Sequence, residues 1–77
     1  MNASRFFGQT IVSIGEVRED RLPGARAEVL DSRGDVYRKL VYRGDVLVGA
    51  LLYGDISQAG QFYRMYRDAA VRPAAQE

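Results

Sequence analysis

The 77-residue sequence contains no cysteine, no histidine and no tryptophan, only two prolines and a single lysine, Lys39. Without thiols or imidazoles, disulfides, cysteine nucleophiles, histidine bases and the commonest structural zinc sites are excluded; oxygen-only metal sites are not. Charge of one sign is missing too. Eleven basic residues face ten acidic ones, for a net charge of +1. With no acidic or basic block, the chain has little field to steer phosphate backbones. No apolar run approaches the roughly 18 residues of a membrane span, and the start MNASRFFGQTIV has no secretory pattern, so the expected location is the cytoplasm, away from membranes.

What is present is an ordinary apolar fraction of 47% in a very short chain. A domain of this size hides about 60% of its unfolded surface, enough for one layer packed on another and too little for a walled-off active site. A single domain over residues 1–77 is expected, with no catalytic, cofactor-binding or metal-binding residues of its own. Asp31 and Asp35 are conceivable as a carboxylate pair, but both fall in turn-forming sequence where aspartate belongs anyway.

The segment FFGQTIVSIGEV (6–17) is rich in β-branched and aromatic residues, with Thr10, Val12 and Ile14 on one face at period two, and reads as a strand. EDRLPGA (19–25) is polar and carries Pro23–Gly24, a loop signal. Then come Arg26 to Leu30, Val36 to Arg43 and Val46 to Tyr53, punctuated by Gly-Asp pairs at 34/35, 44/45 and 54/55. The ten-residue spacing fits one strand plus one turn, and Gly44–Asp45 suits a two-residue type II′ hairpin. Gly49, inside the most apolar strand, marks a bulge or the close approach of another group.

From Asp55 the period becomes helical. Asp55 and Gln58 have capping-box spacing, Ile56, Ala59, Tyr63, Tyr66 and Ala70 form one stripe, and a stop is expected before Pro73. Gly60 would let the helix approach a neighbour closely. Phe62, Met65 and Ala69 form a second stripe, more than a helix on one sheet needs. Either a partner covers it or the N-terminal segment with Phe6 and Phe7 does. The fold class is therefore α+β: a small antiparallel meander of three to four strands with one C-terminal helix packed on it.

Four tyrosines precede arginines, at 37/38, 42/43, 63/64 and 66/67. Such pairs can stack bases and hold phosphates, which leaves a stand-alone binding module for a protein or single-stranded nucleic acid as the alternative reading. Neighbours in a strand point to opposite faces, and the balanced charge argues against phosphate binding.

The pieces Tyr37-Arg38-Lys39-Leu40-Val41, Leu47-Val48-Gly49-Ala50, Gly54-Asp55 and Ala59-Gly60 stand in fixed order within residues 36–60. This run resembles the C-terminal domain of FAD-dependent pyridine nucleotide oxidoreductases of the NADH-rubredoxin reductase and nitrite reductase large-subunit group. The turn departs from the family's more polar one, with Val46 directly after Asp45. The resemblance implies a non-catalytic interface domain packed against the FAD- and NAD-binding domains of a parent flavoprotein, with a homodimer as a further arrangement. FAD and NAD(P)H would be bound by that parent, since this chain has no G-x-G-x-x-G. The contact residues expected are Phe62, Met65 and Ala69 on the helix and Tyr53 at the strand end.

Overall fold

The computed structural model describes residues 1–70. Five strands, β1 (Asn2–Phe6), β2 (Gln9–Gly15), β3 (Ala25–Asp31), β4 (Tyr37–Arg43) and β5 (Val46–Tyr53), precede one helix, α1 (Ala59–Ala70). They form one antiparallel sheet in the order β1-β2-β5-β4-β3. The α+β class holds, with one more strand than expected. Asn2–Phe6 lacks apolar alternation, yet it pairs with β2 through a two-residue turn at Phe7–Gly8.

The sheet is also not a plain meander. β3, β4 and β5 follow one another, but β2 lies against β5, so the connection after β2 crosses β5 and β4 to reach the far edge. Parity of side chains identifies the residues on each face but not the order of strands, which contacts distant in sequence decide.

The face beneath α1 carries the core: Val12, Ile14, Leu40, Leu47, Ala50 and Leu52, with Phe62 from the helix. Leu47 reaches that face because β5 is irregular. Val41 pairs with Gly49 but Tyr42 pairs with Leu47, leaving Val48 as an extra residue. The bulge shifts the alternation by one, so Leu47 and Ala50, three apart, share a face. It also frees the Val48 carbonyl to accept the Glu16 N–H at 3.0 Å. At the Gly44–Asp45 turn only Gly44 has a positive φ (62°), as the II′ arrangement requires.

Gly49 behaves as its position suggests. A Cβ there would run into the backbone of Glu16, the first residue of the crossing connection. The connection lies over the face opposite α1, where Val41, paired with Gly49, is fully buried outside the main core cluster. Lys39, on the same face, donates to the Glu19 carboxylate at 3.1 Å from the short 3-10 turn Glu19–Arg21.

The helix start differs from expectation. Asp55 does not cap it: its carboxylate accepts from the Ser57 N–H (3.1 Å) and hydroxyl (2.7 Å), closing a turn before the helix. The Gln58 carbonyl accepts the N–H of Phe62 at 3.0 Å, so Gln58 stands at the helix boundary. Gly60 is exposed and a Cβ there would meet only Arg64 at 3.9 Å, so no close approach requires it. The expected stop before Pro73 and the side chain of Ala70 lie outside what the structure describes.

Candidate functional site

The four expected contact residues separate into three environments. Phe62 is 5% exposed and belongs to the core, with Ala59, Tyr63 and Tyr66 around it. The two helical stripes merge at this end: positions 59, 62, 63 and 66 form one inward arc, and the sheet itself covers Phe62. Phe62 is thereby corrected from a surface contact to a core residue. The N-terminal segment does not cover the helix either, since β1 is an edge strand beyond β2.

Met65 and Ala69 stay at the surface of α1, Met65 exposed and Ala69 half-buried. With Asp45, Val46, Leu47 and Asp68 they line a groove of about 290 Å³ between the helix and the β4–β5 hairpin. The hairpin residues contribute a carboxylate and an exposed valine, features of a shallow polar-rimmed groove.

Tyr53 lies on the opposite face of the sheet. The register aligns Ile11, Tyr53 and Tyr37 across β2, β5 and β4, with Leu51 two residues from Tyr53 on the same face. These four, with Phe6 of β1, line a depression of about 350 Å³. The crossing connection closes the half of this face over Val41 and Gly49; among the described residues no comparable segment lies over the half around Tyr53. Tyr53 is fixed at its tip, where its hydroxyl donates to the Phe6 carbonyl at 3.3 Å. Gly54 permits the strand to end there: its φ is +85°, and a Cβ would meet the Asp35 carbonyl.

The rim of this surface is the β1–β2 turn. Phe6 is 54% exposed and Phe7 86%, and their rings meet edge to face with centroids 4.4 Å apart. Phe7 adopts φ 52° and Gly8 79°, the paired positive values of a type I′ turn. Asparagine, aspartate or glycine is preferred at such a first position; a phenylalanine costs about 1 kcal/mol there. The exposed Phe7 is thus an aromatic ring held in an unfavourable backbone conformation beside an apolar face.

Sequence reasoning missed Phe6, Ile11, Tyr37 and Leu51 as neighbours of Tyr53. Parity held the signal: Ile11 is out of phase with Val12 and Ile14, and Leu51 and Tyr53 are out of phase with Leu52. It takes the strand order to bring them together.

The remaining polar groups hold the framework. Arg38 donates from Nη1 to Gln58 (2.5 Å) and from Nη2 to Asp31 (3.1 Å), tying β4 to the helix start and the β3 edge. The carboxyl of Asp55 is held below its ordinary pKa, first by the Ser57 hydroxyl and then by the Ser57 N–H. Glu19 is lowered by its own backbone N–H and by Lys39, and Asp20 by Arg18. Two tyrosines lie beneath arginines that are not the ones following them in sequence: Arg26 is 5.0 Å from the Tyr42 ring centroid and Arg67 is 5.9 Å from that of Tyr63.

The strand-to-helix connection does not fit a dinucleotide. A pyrophosphate is held by backbone N–H groups at a glycine-rich turn entering a helix. Here the ionised Asp55 precedes α1 and takes the Ser57 N–H for itself. Among the described residues, no three acidic side chains are grouped to hold a metal ion and no helix is long and apolar enough to cross a membrane.

Residues 1–69 match the model of the rubredoxin NAD+ reductase C-terminal domain family. Over 63 residues, 82% of the chain, the sequence is 33% identical to a nitrite reductase [NAD(P)H] of Bacillus subtilis (strain 168). The match occupies 8% of that much longer relative.

Proposed function

The chain belongs to the rubredoxin NAD+ reductase C-terminal domain family, and from that premise we propose that it is a non-catalytic interface domain of a flavin-dependent NADH oxidoreductase in the cytoplasm. It packs against the FAD- and NAD(P)-binding domains of the parent, which bind both cofactors and carry the electron chemistry. The chain itself supplies a surface.

The observation that carries this reading is the uncovered half-face with Tyr53 at its centre. Phe6, Ile11, Tyr37, Leu51 and Tyr53 are all apolar or aromatic, and Tyr53 has a polar tip already bonded within the chain. Docking such a face leaves few polar groups unpaired, while its aromatic rings contribute most of the contact. Met65 and Ala69, across the molecule, make a lesser contact at the groove beside the β4–β5 hairpin.

Calorimetric titration of the 77-residue chain into the cofactor-binding portion of a related NADH oxidoreductase, prepared without its own C-terminal domain, tests the assignment. Leu51→Glu and Tyr53→Ala are each expected to weaken binding about tenfold or more, since central aromatic and aliphatic contacts dominate interfaces. Met65→Lys is expected to weaken it less. Equal binding by the wild-type and Leu51→Glu chains, both folded, would show that the sheet face is not the contact.

A further inference from the structure

The two edges of the sheet are built differently. β3 carries Arg26, Glu28 and Asp31 and is broken by an irregularity between Val29 and Asp31. Charges and bulges of this kind keep a strand edge from pairing with another chain. β1 has neither protection. Its register with β2 runs unbroken from Asn2↔Ser13 to Phe6↔Gln9, all five residues are exposed, and Arg5 is its sole charge. Even that charge is drawn away, because the Arg5 guanidinium folds back to donate to the Gly8 carbonyl at 2.7 Å.

The hydrogen-bonding phase of β1 follows from its turn. A two-residue hairpin loop closes on a hydrogen-bonded pair, here Phe6 and Gln9, so the backbone groups of Phe6, Ser4 and Asn2 turn towards β2. Those of Ala3 and Arg5 turn outwards, and among the described residues no strand lies beyond them. We propose that this edge pairs with β1 of a second copy of the chain, antiparallel about a two-fold axis through Ser4.

The sequence of the strand is self-complementary in this register. Arg5 falls opposite Ala3 of the second copy, and both have outward N–H and C=O groups, so each such pair exchanges both backbone hydrogen bonds. Ser4 meets Ser4 of the second copy in the closer, non-hydrogen-bonded position, where two small side chains fit. Phe6 lies opposite Asn2 of the second copy. A two-fold axis through Arg5 would set guanidinium against guanidinium, and one through Ala3 would set Arg5 opposite Met1 of the second copy, which lies outside β1. The Ser4 axis alone satisfies every outward group of β1 without opposing like charges. The result is one continuous sheet through both copies, with their apolar faces on the same side.

Sedimentation equilibrium of the 77-residue chain over micromolar to millimolar concentration tests the pairing. A reversible dimer is expected. Ala3→Pro removes an outward donor and leaves the β1–β2 ladder intact, and it should raise the dissociation constant about tenfold or more. Ser4→Glu and Ser4→Lys each set like charges across the axis and should each weaken self-association. An equimolar mixture of the two should restore the dimer, a result that damage to the fold could not produce. Should Ala3→Pro unfold the chain, the Ser4 pair still decides the matter. A wild-type chain that remains monomeric at millimolar concentration overturns the proposal, as does a dimer indifferent to both Ser4 substitutions.

Discussion

On one side of the sheet, Val12, Ile14, Leu40, Ala50 and Leu52 lie beneath a helix that drives Phe62 into their midst. On the other, Val41 is just as buried, but beneath an irregular crossing of backbone held by one bond from Glu16 to Val48 and one ion pair from Lys39 to Glu19. Beyond that crossing, no second layer among the described residues lies over the half-buried Ile11, Tyr37, Leu51 and Tyr53. The first face is closed by side chains interlocking, the second by backbone fitting against a glycine. Burial of a large apolar ring stabilises the domain directly, whereas the crossing is held to the sheet by the fit at Gly49 and by two polar contacts.

Substitutions separate these roles. Phe62→Ala should have the largest effect, about 3–5 kcal/mol of lost stability, because it leaves a cavity under the helix that the sheet cannot fill. Urea denaturation followed by circular dichroism measures this. Gly49→Ala should cost about 1–3 kcal/mol in the same assay, since the added methyl group forces the Glu16 backbone away from β5. Loss of protection from hydrogen exchange at the Glu16 amide would place the damage on the second face.

Acidification should give the smallest change. Glu19, Asp20 and Asp55 have folded pKa values below their ordinary ones, so their ionised forms stabilise the fold at neutral pH. That contribution is complete above the unfolded carboxylate range, near pH 4, and disappears as the pH falls through the lowered folded values. The thermal midpoint should be level from pH 7 to about 5 and fall below about 4. Glu19→Gln should begin slightly lower and fall less, because it has already lost the charge that meets Lys39. An equal acid response in both chains would remove the ion pair from the account of how the crossing is held.

The local turn and strand chemistry could be read in the residues. Gly44–Asp45 made its hairpin, Val46 to Tyr53 made the central strand, and Gly49 did mark a close approach. The family, too, was legible from Val36 to Gly60. The helix boundary was misread because Asp55, a good cap by type and spacing, finds a nearer partner in Ser57. Gly60 carried no packing signal at all.

The surface around Tyr53 was less legible. Tyr53 was grouped with Phe62, Met65 and Ala69 as an expected contact residue, yet the sheet lies between Tyr53 and the helix. The aromatic turn at Phe6 and Phe7 went unmarked because nothing in those residues alone shows the backbone φ that Phe7 adopts.

By itself, then, the sequence determined the helix, the strands from β2 to β5, the Gly44–Asp45 turn and the parity within each regular stretch, because these depend on residues within a few positions of one another; β1, its turn and the shift of parity at the bulge in β5 were not legible. Only the tertiary structure decided that β2 joins β5, that the crossing covers one half of the outer face and that Phe62 points inward. Those outcomes rest on contacts between segments tens of residues apart, where the meeting of surfaces and not the local pattern sets the energy.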